Sequence, residues 1–407
     1  MAVRFEKYNE GQIFFKHSCT QYQDLNDNLG VVRCLFSIGN IARLLCNNSE
    51  AIVAFTDARV QFLNMGNKLG AAQCLLCLGD ISRILEKSSD AETEFLQAKT
   101  EFQAIGDTMG VAQCLNSLGL LTFRLRKYSE AAQKYLQDAR TQFQKIGQKA
   151  LAADCLTTLG KVQSALGNFS AAEMFIKEAS LQFQTNNDKN KLSKCIYHLG
   201  DIARMQGHNL EAQNLFKECM SLFQDNNDEK EVANCIRNLG NIAYALGNYT
   251  EAKEKLVQAK NQFENMELKR EAAQCMHCLG NTEKALGNYL IAETLLHTAM
   301  GTFTVAGYRI GTAQCLMSLG DISFKQENYF GAESFLKQAC TDFRKIGSKL
   351  ALAQCLGSLA EVALKQGGGS EAIKLYEESK DLFDMLGNKG EVAKYSEILA
   401  SIVNTPR

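Results

Sequence analysis

No charge of either sign predominates in this sequence. Lysine plus arginine number 44 and aspartate plus glutamate 45, a net charge of −1. General nucleic-acid binding usually shows a marked basic excess, so that class is not expected. No run approaches the ~18 consecutive apolar residues of a membrane span, and membrane insertion is not expected either. The start, Met1 to Glu10, is charged and has no apolar run, which is not the pattern of a secretory signal. Catalytic signatures are missing too. There is no P-loop, no G-x-G-x-x-G after a strand, no G-x-S-x-G and no H-E-x-x-H. The histidines (His17, His198, His208, His277 and His297) are scattered, and no acid–base pair recurs at a fixed geometry. No catalytic residue and no cofactor is therefore assigned. Tryptophan is absent, and the sole proline, Pro406, lies in a short tail.

What is present is a pattern that recurs about every 40 residues. Glycine stands at Gly39, Gly79, Gly119, Gly160, Gly200, Gly240, Gly280 and Gly320, with Ala360 in the next place. Twelve residues past each lies an alanine: Ala51, Ala91, Ala131, Ala172, Ala212, Ala252, Ala292, Ala332 and Ala372. A phenylalanine closes every unit: Phe62, Phe102, Phe143, Phe183, Phe223, Phe263, Phe303, Phe343 and Phe383. A length of 407 residues would suggest two or three globular domains. A period of 20 to 50 residues instead means stacked repeats, each touching only its neighbours. The apolar share of 46% is ample for a continuous core.

Fifteen cysteines raise the question of a disulfide scaffold. Nine of them, however, fall five residues before the glycine place: Cys34, Cys74, Cys114, Cys155, Cys195, Cys235, Cys275, Cys315 and Cys355. Equivalent residues of stacked helices sit about 8–10 Å apart, beyond the ~7 Å Cα limit for a disulfide. They read as small buried hydrophobes in a reducing compartment, hence a cytosolic or nuclear setting, and a cytoplasmic one is expected.

Residues 232–270 illustrate one unit. Cys235, Leu239, Ile242 and Leu246 form one apolar stripe of a helix, and Ile236, Gly240 and Ala243 a second, narrow one. A mid-helix glycine costs about 1 kcal/mol against alanine, so its recurrence predicts close approach of a neighbouring helix. Gly247-Asn248-Tyr249 breaks the helix, with glycine suited to a left-handed cap. Thr250-Glu251 opens a second helix whose apolar face is Ala252, Leu256, Ala259 and Phe263. Asn265 to Lys269 makes the next connection; elsewhere this is Gly66-Asn67-Lys68, Gly147-Gln148-Lys149, Gly347-Ser348-Lys349 or Gly387-Asn388-Lys389. At Asn186-Asn187 and Asn226-Asn227 asparagine replaces the connecting glycine, the next best residue for a positive φ. One extra residue between Ala131 and Phe143 predicts a local bulge in that second helix. The fold class is thus all-α, an α-solenoid of antiparallel helix pairs.

Gly11, Phe15, Ser18 and Tyr22 occupy second-helix places ahead of the first full unit, which suits a piece of a longer array. Near the other end, Tyr395 takes the cysteine place and Ala400 the glycine place. The expected organisation is one array over residues 1–403: a half repeat at 1–24, about nine full repeats at 25–385 and a capping helix at 386–403, followed by the tail 404–407.

These residues resemble the tetratricopeptide repeat. Leu239-Gly240, Gly247-Asn248-Tyr249, Ala252, Leu256 and Ala259 show the pattern, as do Leu279-Gly280, Gly287-Asn288-Tyr289, Ala292 and Leu296. The departures are a longer period, leucine or isoleucine at the early tryptophan place, and no closing proline. Lengthened repeats of this kind are similar to those of Pins-type polarity adaptors, kinesin light chains, rapsyn and certain fungal arrays. The resemblance implies a right-handed superhelix whose inner wall, built from first helices, binds peptides.

Helix geometry places the inner wall off both apolar stripes. The candidate partner-binding residues are Lys161, Lys194, Tyr197, His198, Arg204, Asn234, Arg237, Asn238, Asn241, Tyr244, Asn281 and Lys284. Asparagine can donate and accept toward a peptide backbone, and arginine can hold a carboxylate with two bonds. The bland alternative is an ordinary solvated face. Arg237 and Asn241 imitate the first part of the carboxylate clamp that some tetratricopeptide proteins close on chaperone tails. Cys278, Gln314 and Ser318 then stand where the clamp needs asparagine and a lysine–arginine pair, so that ligand is set aside. Cys74-Leu75-Leu76-Cys77 and Cys275-Met276-His277-Cys278 have zinc-like spacing. They lie five units apart, and zinc needs four converging ligands; no metal is assigned. Asn-x-Ser/Thr sequons at Asn47, Asn168 and Asn248 fall in turns that favour asparagine before a Ser or Thr helix cap.

The reading is a non-enzymatic scaffold or adaptor that binds segments of other proteins in its groove. The alternative is a ligand- or peptide-sensing array of a signalling protein that lacks its effector domain.

Overall fold

The computed structural model describes residues 2–125, 130–386 and 388–404. Helix contacts divide the chain into two units, Met1–Asn187 and Asp188–Arg407. The first holds α1 (Ala2–Asp24), α2 (Asn28–Leu44), α3 (Asn48–Asn64), α4 (Lys68–Ile84), α5 (Ser88–Ala104), α6 (Thr108–Arg124), α7 (Glu130–Lys145), α8 (Lys149–Ala165) and α9 (Phe169–Thr185). The second holds α10 (Lys189–Met205), α11 (Asn209–Asp225), α12 (Glu229–Ala245), α13 (Tyr249–Asn265), α14 (Lys269–Ala285), α15 (Tyr289–Val305), α16 (Arg309–Lys325), α17 (Tyr329–Ile346), α18 (Lys349–Lys365), α19 (Gly369–Met385) and α20 (Lys389–Asn404). All regular structure among the described residues is helical. No helix there is long and apolar enough to cross a membrane.

Within each unit every helix packs on the next, and first helices also touch along the stack: α4 with α6 and α6 with α8, then α12 with α14, α14 with α16 and α16 with α18. Three-residue connections reverse the chain. At Leu246-Gly247-Asn248, Gly247 has φ +80°. Its N–H donates to the Tyr244 carbonyl at 3.0 Å, and the Asn248 N–H to the Ala243 carbonyl at 2.9 Å. These bonds satisfy the last carbonyls of the helix. Asn187 and Asn227 take the same left-handed place, at φ 53° and 54°. The sequons need a correction. Asn47, Asn168 and Asn248 are themselves the N-cap residues, and Ser49, Ser170 and Thr250 lie inside the first helical turn. Asparagine serves because it closes the turn and, at Asn47, accepts the Glu50 N–H.

The repeated positions form the core. All nine closing phenylalanines are buried, Phe62 at 7% exposure being the most open. The nine recurring cysteines are buried and every cysteine is a free thiol. The recurring glycine receives a side chain from the second helix of its own repeat. A Cβ on Gly79 would meet Phe95, on Gly160 Ile176, and on Gly240 Leu256. At Gly160, Gly240, Gly280 and Gly320 the Cβ would also come within 3.1–3.4 Å of the backbone carbonyl of Ala172, Ala252, Ala292 or Ala332, so the second helix itself approaches closely there.

The extra residue in the fourth repeat also needs a correction. Helix α7 runs unbroken from Glu130 to Lys145, with no bulge. Counted back from Phe143, the buried Ala139 and Leu136 match Ala58 and Phe55 of α3. That register puts Ala132, not Ala131, in the alanine place. The extra residue therefore precedes Leu136, and residues 126–129 ahead of α7 lie outside the described residues. The side chain of Ala131, the turn at Gly387 and the tail at Pro406 lie outside the described residues. At the end of the second unit Tyr395 is buried and stacks on Phe383 with ring centroids 5.6 Å apart. Ala400 is exposed.

Burial pushes the thiols of Cys114 and Cys275 up to about 12, so they stay protonated at neutral pH. Cys46 alone is exposed among the cysteines. Ellman's reagent should label Cys46 at once, the half-buried Cys77 and Cys278 slowly, and the core thiols only on unfolding. Fast native labelling of Cys114 or Cys275 would contradict this packing.

Candidate partner-binding wall

Eleven of the twelve candidate residues belong to the second unit, on the first helices α10, α12 and α14. Lys161 belongs to the first unit, on α8. On α10, Lys194 is exposed and Tyr197 is half-buried. The Tyr197 ring meets Phe216 of α11 edge-on at 5.3 Å and His198 at 5.7 Å. Burial raises the pKa of its hydroxyl. Arg204 is bound to Asp201 one turn earlier, at 3.2 Å. Burial raises the Asp201 carboxyl, against the pull of Arg204 and Arg237.

On α12 the roles divide sharply. Asn238 is 4% exposed, and its amide donates to the Tyr197 hydroxyl at 2.7 Å. It therefore ties α12 to α10 and leaves little surface for a partner. Asn234 donates to Glu231 at 3.1 Å. Arg237 donates to the Gln274 side chain of α14 at 2.7 Å, with its guanidinium carbon 5.8 Å from the centre of the Phe263 ring. It has no carboxylate partner among the described residues. Half-buried Asn241 makes no hydrogen bond among the described residues. Tyr244 completes the face and leans on Tyr249 with centroids 5.5 Å apart. Residues 237, 241 and 244 stand at i, i+4 and i+7, so they share one stripe of the helix.

On α14 the Asn281 amide is 3.3 Å from His277 Nε2, while its Oδ1 is buried without a partner. Lys284 pairs with Asp321 of α16 at 2.9 Å. His277, the middle residue of the zinc-like run, stands on the wall, its Nε2 also 3.3 Å from the Ser318 hydroxyl of α16. Burial, then the charge of Lys284, pushes its pKa down to about 4, so it is neutral at physiological pH. The signal was available. His277 is three residues before Gly280, the row that holds Tyr197 and Arg237. Cys275 faces the core and Cys278 is half-buried. Among the described residues no three His, Cys, Asp or Glu side chains gather as metal ligands would.

Family models of the tetratricopeptide repeat match residues 193–265 and 312–346. No curated protein matches the chain. Solved structures are similar in fold. The apo form of RapI has a TM-score of 0.63 at 15% identity, covering 89% of this chain and 99% of its own. The Rap conjugation gene regulator of plasmid pLS20, in complex with the Phr* peptide, has 0.57 at 12%, covering 84% and 95%. A signal transduction ATPase with a tetratricopeptide-repeat sensor, from Pyrococcus horikoshii, has 0.56 at 14%, covering 90% and 55%. With helix hairpins along the described residues, glycine and alanine at the contact places and two matching stretches, the chain is an all-α, tetratricopeptide-like solenoid that carries tetratricopeptide repeats at residues 193–265 and 312–346.

Proposed function

We propose that the protein is a non-enzymatic scaffold whose second unit binds an extended segment of a partner protein along the wall of α10, α12 and α14. The observation that carries this is the stripe Arg237–Asn241–Tyr244 beside Asn281. A half-buried guanidinium whose hydrogen bond goes to the neutral Gln274, with the Asp201 carboxyl acting on it only through space, an idle amide and an orphaned amide oxygen stand together. Polar groups left unsatisfied in a partly dry site cost about 1–3 kcal/mol each, so a ligand that satisfies them binds with that gain. A peptide backbone offers both donors and acceptors, and the peptide-bound Rap regulator is a fold neighbour. The free cysteines support a reducing, cytoplasmic setting.

The test is a display library of random twelve-residue peptides selected on the whole protein. Arg237→Ala with Asn241→Ala should weaken the selected peptides at least tenfold, about 1.4 kcal/mol. The double variant should stay folded and its melting temperature fall only slightly, because the Arg237 bond to Gln274 and its contact with the Phe263 ring are lost but no core side chain is. Unaltered binding by the double variant would discard the site.

A further inference from the structure

We propose that this wall carries a specificity cleft for an aromatic side chain of the bound segment, formed where α12, α14 and α16 end and α15 begins, facing Ser358 and Glu361 of α18. The inference rests on the groove reading above and names what the segment must present. The cleft has a volume of about 530 Å³ and is walled by Tyr244, Tyr289 and Phe324. The rings are half-buried, unlike the closed phenylalanines of the core. Two are held from behind, Tyr244 by Tyr249 at 5.5 Å and Phe324 by Tyr329 at 5.8 Å. They are oriented before any ligand arrives, which lowers the ordering cost of binding.

The sequence row supports the assignment. Four residues past the glycine the chain has Arg43, Arg83, Phe123, Ser164 and Arg204, then Tyr244, Lys284 and Phe324. An aromatic residue recurs two repeats apart in this row only at Tyr244 and Phe324. Charge selects among occupants. Lys284 is neutralised by Asp321 at 2.9 Å, and exposed Lys325 is matched by exposed Glu361 across the cleft. A charged ligand group would lose hydration and meet no net opposite charge. A neutral aromatic ring stacks on the walls at no such cost, and Ser358 or Glu361 at the rim can meet an indole N–H or a phenol.

The chain contains no tryptophan, so indole emission reports only the ligand. Peptides selected on the whole protein from the twelve-residue library should share one aromatic position. A selected peptide with tryptophan there should bind at least tenfold more tightly than its leucine version, with blue-shifted emission. Phe324→Ala should erase that preference. Ser358→Arg, which fills the rim and leaves the core untouched, should do the same if Phe324→Ala melts early. By contrast, Arg237→Ala with Asn241→Ala should weaken both versions alike and keep the preference. Selection of arginine, lysine or no fixed residue at the position would overturn the cleft, as would a tryptophan preference that survives Ser358→Arg. A library that yields no binder, or binders blind to the Arg237 and Asn241 changes, would overturn the groove and the cleft with it.

Discussion

Replacing Phe223 with alanine should destabilise the second unit by about 3–5 kcal/mol. The ring is 1% exposed at the joint between α11 and α12, in one cluster with Phe216, Cys219, Cys235 and Ile236. Removing it loses the transfer energy of the ring and leaves a void, because the helix on each side is held by its own neighbours. In a stack where each repeat meets only the next, the loss should appear first as local opening. Hydrogen exchange of α11 and α12 should accelerate more than that of α18, and the denaturant midpoint should fall. A shift of under 1 kcal/mol would mean that Phe223 is not a core residue.

The second large effect is expected at a glycine. Gly79→Leu should cost about 3 kcal/mol. A Cβ at Gly79 would lie 2.6 Å from Phe95 Cε1 and 2.7 Å from its Cδ1, and Phe95 is fully buried with no room to withdraw. Gly79→Ala tests the same contact more finely. Alanine gains about 1 kcal/mol of helix propensity over glycine, so any net loss measures the clash. Combining it with Phe95→Leu should recover stability, since leucine stands in that place against Gly119, Gly240, Gly280 and Gly320. Additive losses in the double variant would show that the ring and the glycine do not meet.

These two positions show how much was legible beforehand. The glycine, alanine and phenylalanine rows identified the packed faces because burial acts on single positions at a fixed helical period. The same rows located a candidate wall, since residues off both stripes must face away from the core. They could not say which side chains of neighbouring helices bond to one another. Asn238 looked like a groove residue and is buried against Tyr197, and His277 looked like part of a metal run and bridges toward Ser318. The inserted residue was misplaced because Ala131 and Ala132 both suit a position that needs a small side chain.

By itself the sequence determined that this is a tetratricopeptide-type stack. Caps, turns and apolar period are local, and each repeat states them again. Only the tertiary structure decided that Arg237 lacks a carboxylate partner while Arg204 and Lys284 have theirs, that Asn241 stands idle, and that Tyr244, Tyr289 and Phe324 enclose one cleft. The physical reason is reach. A helix period says which way a side chain leaves its own helix, but a hydrogen bond needs donor and acceptor within about 3 Å. That distance is set by how neighbouring helices sit against each other.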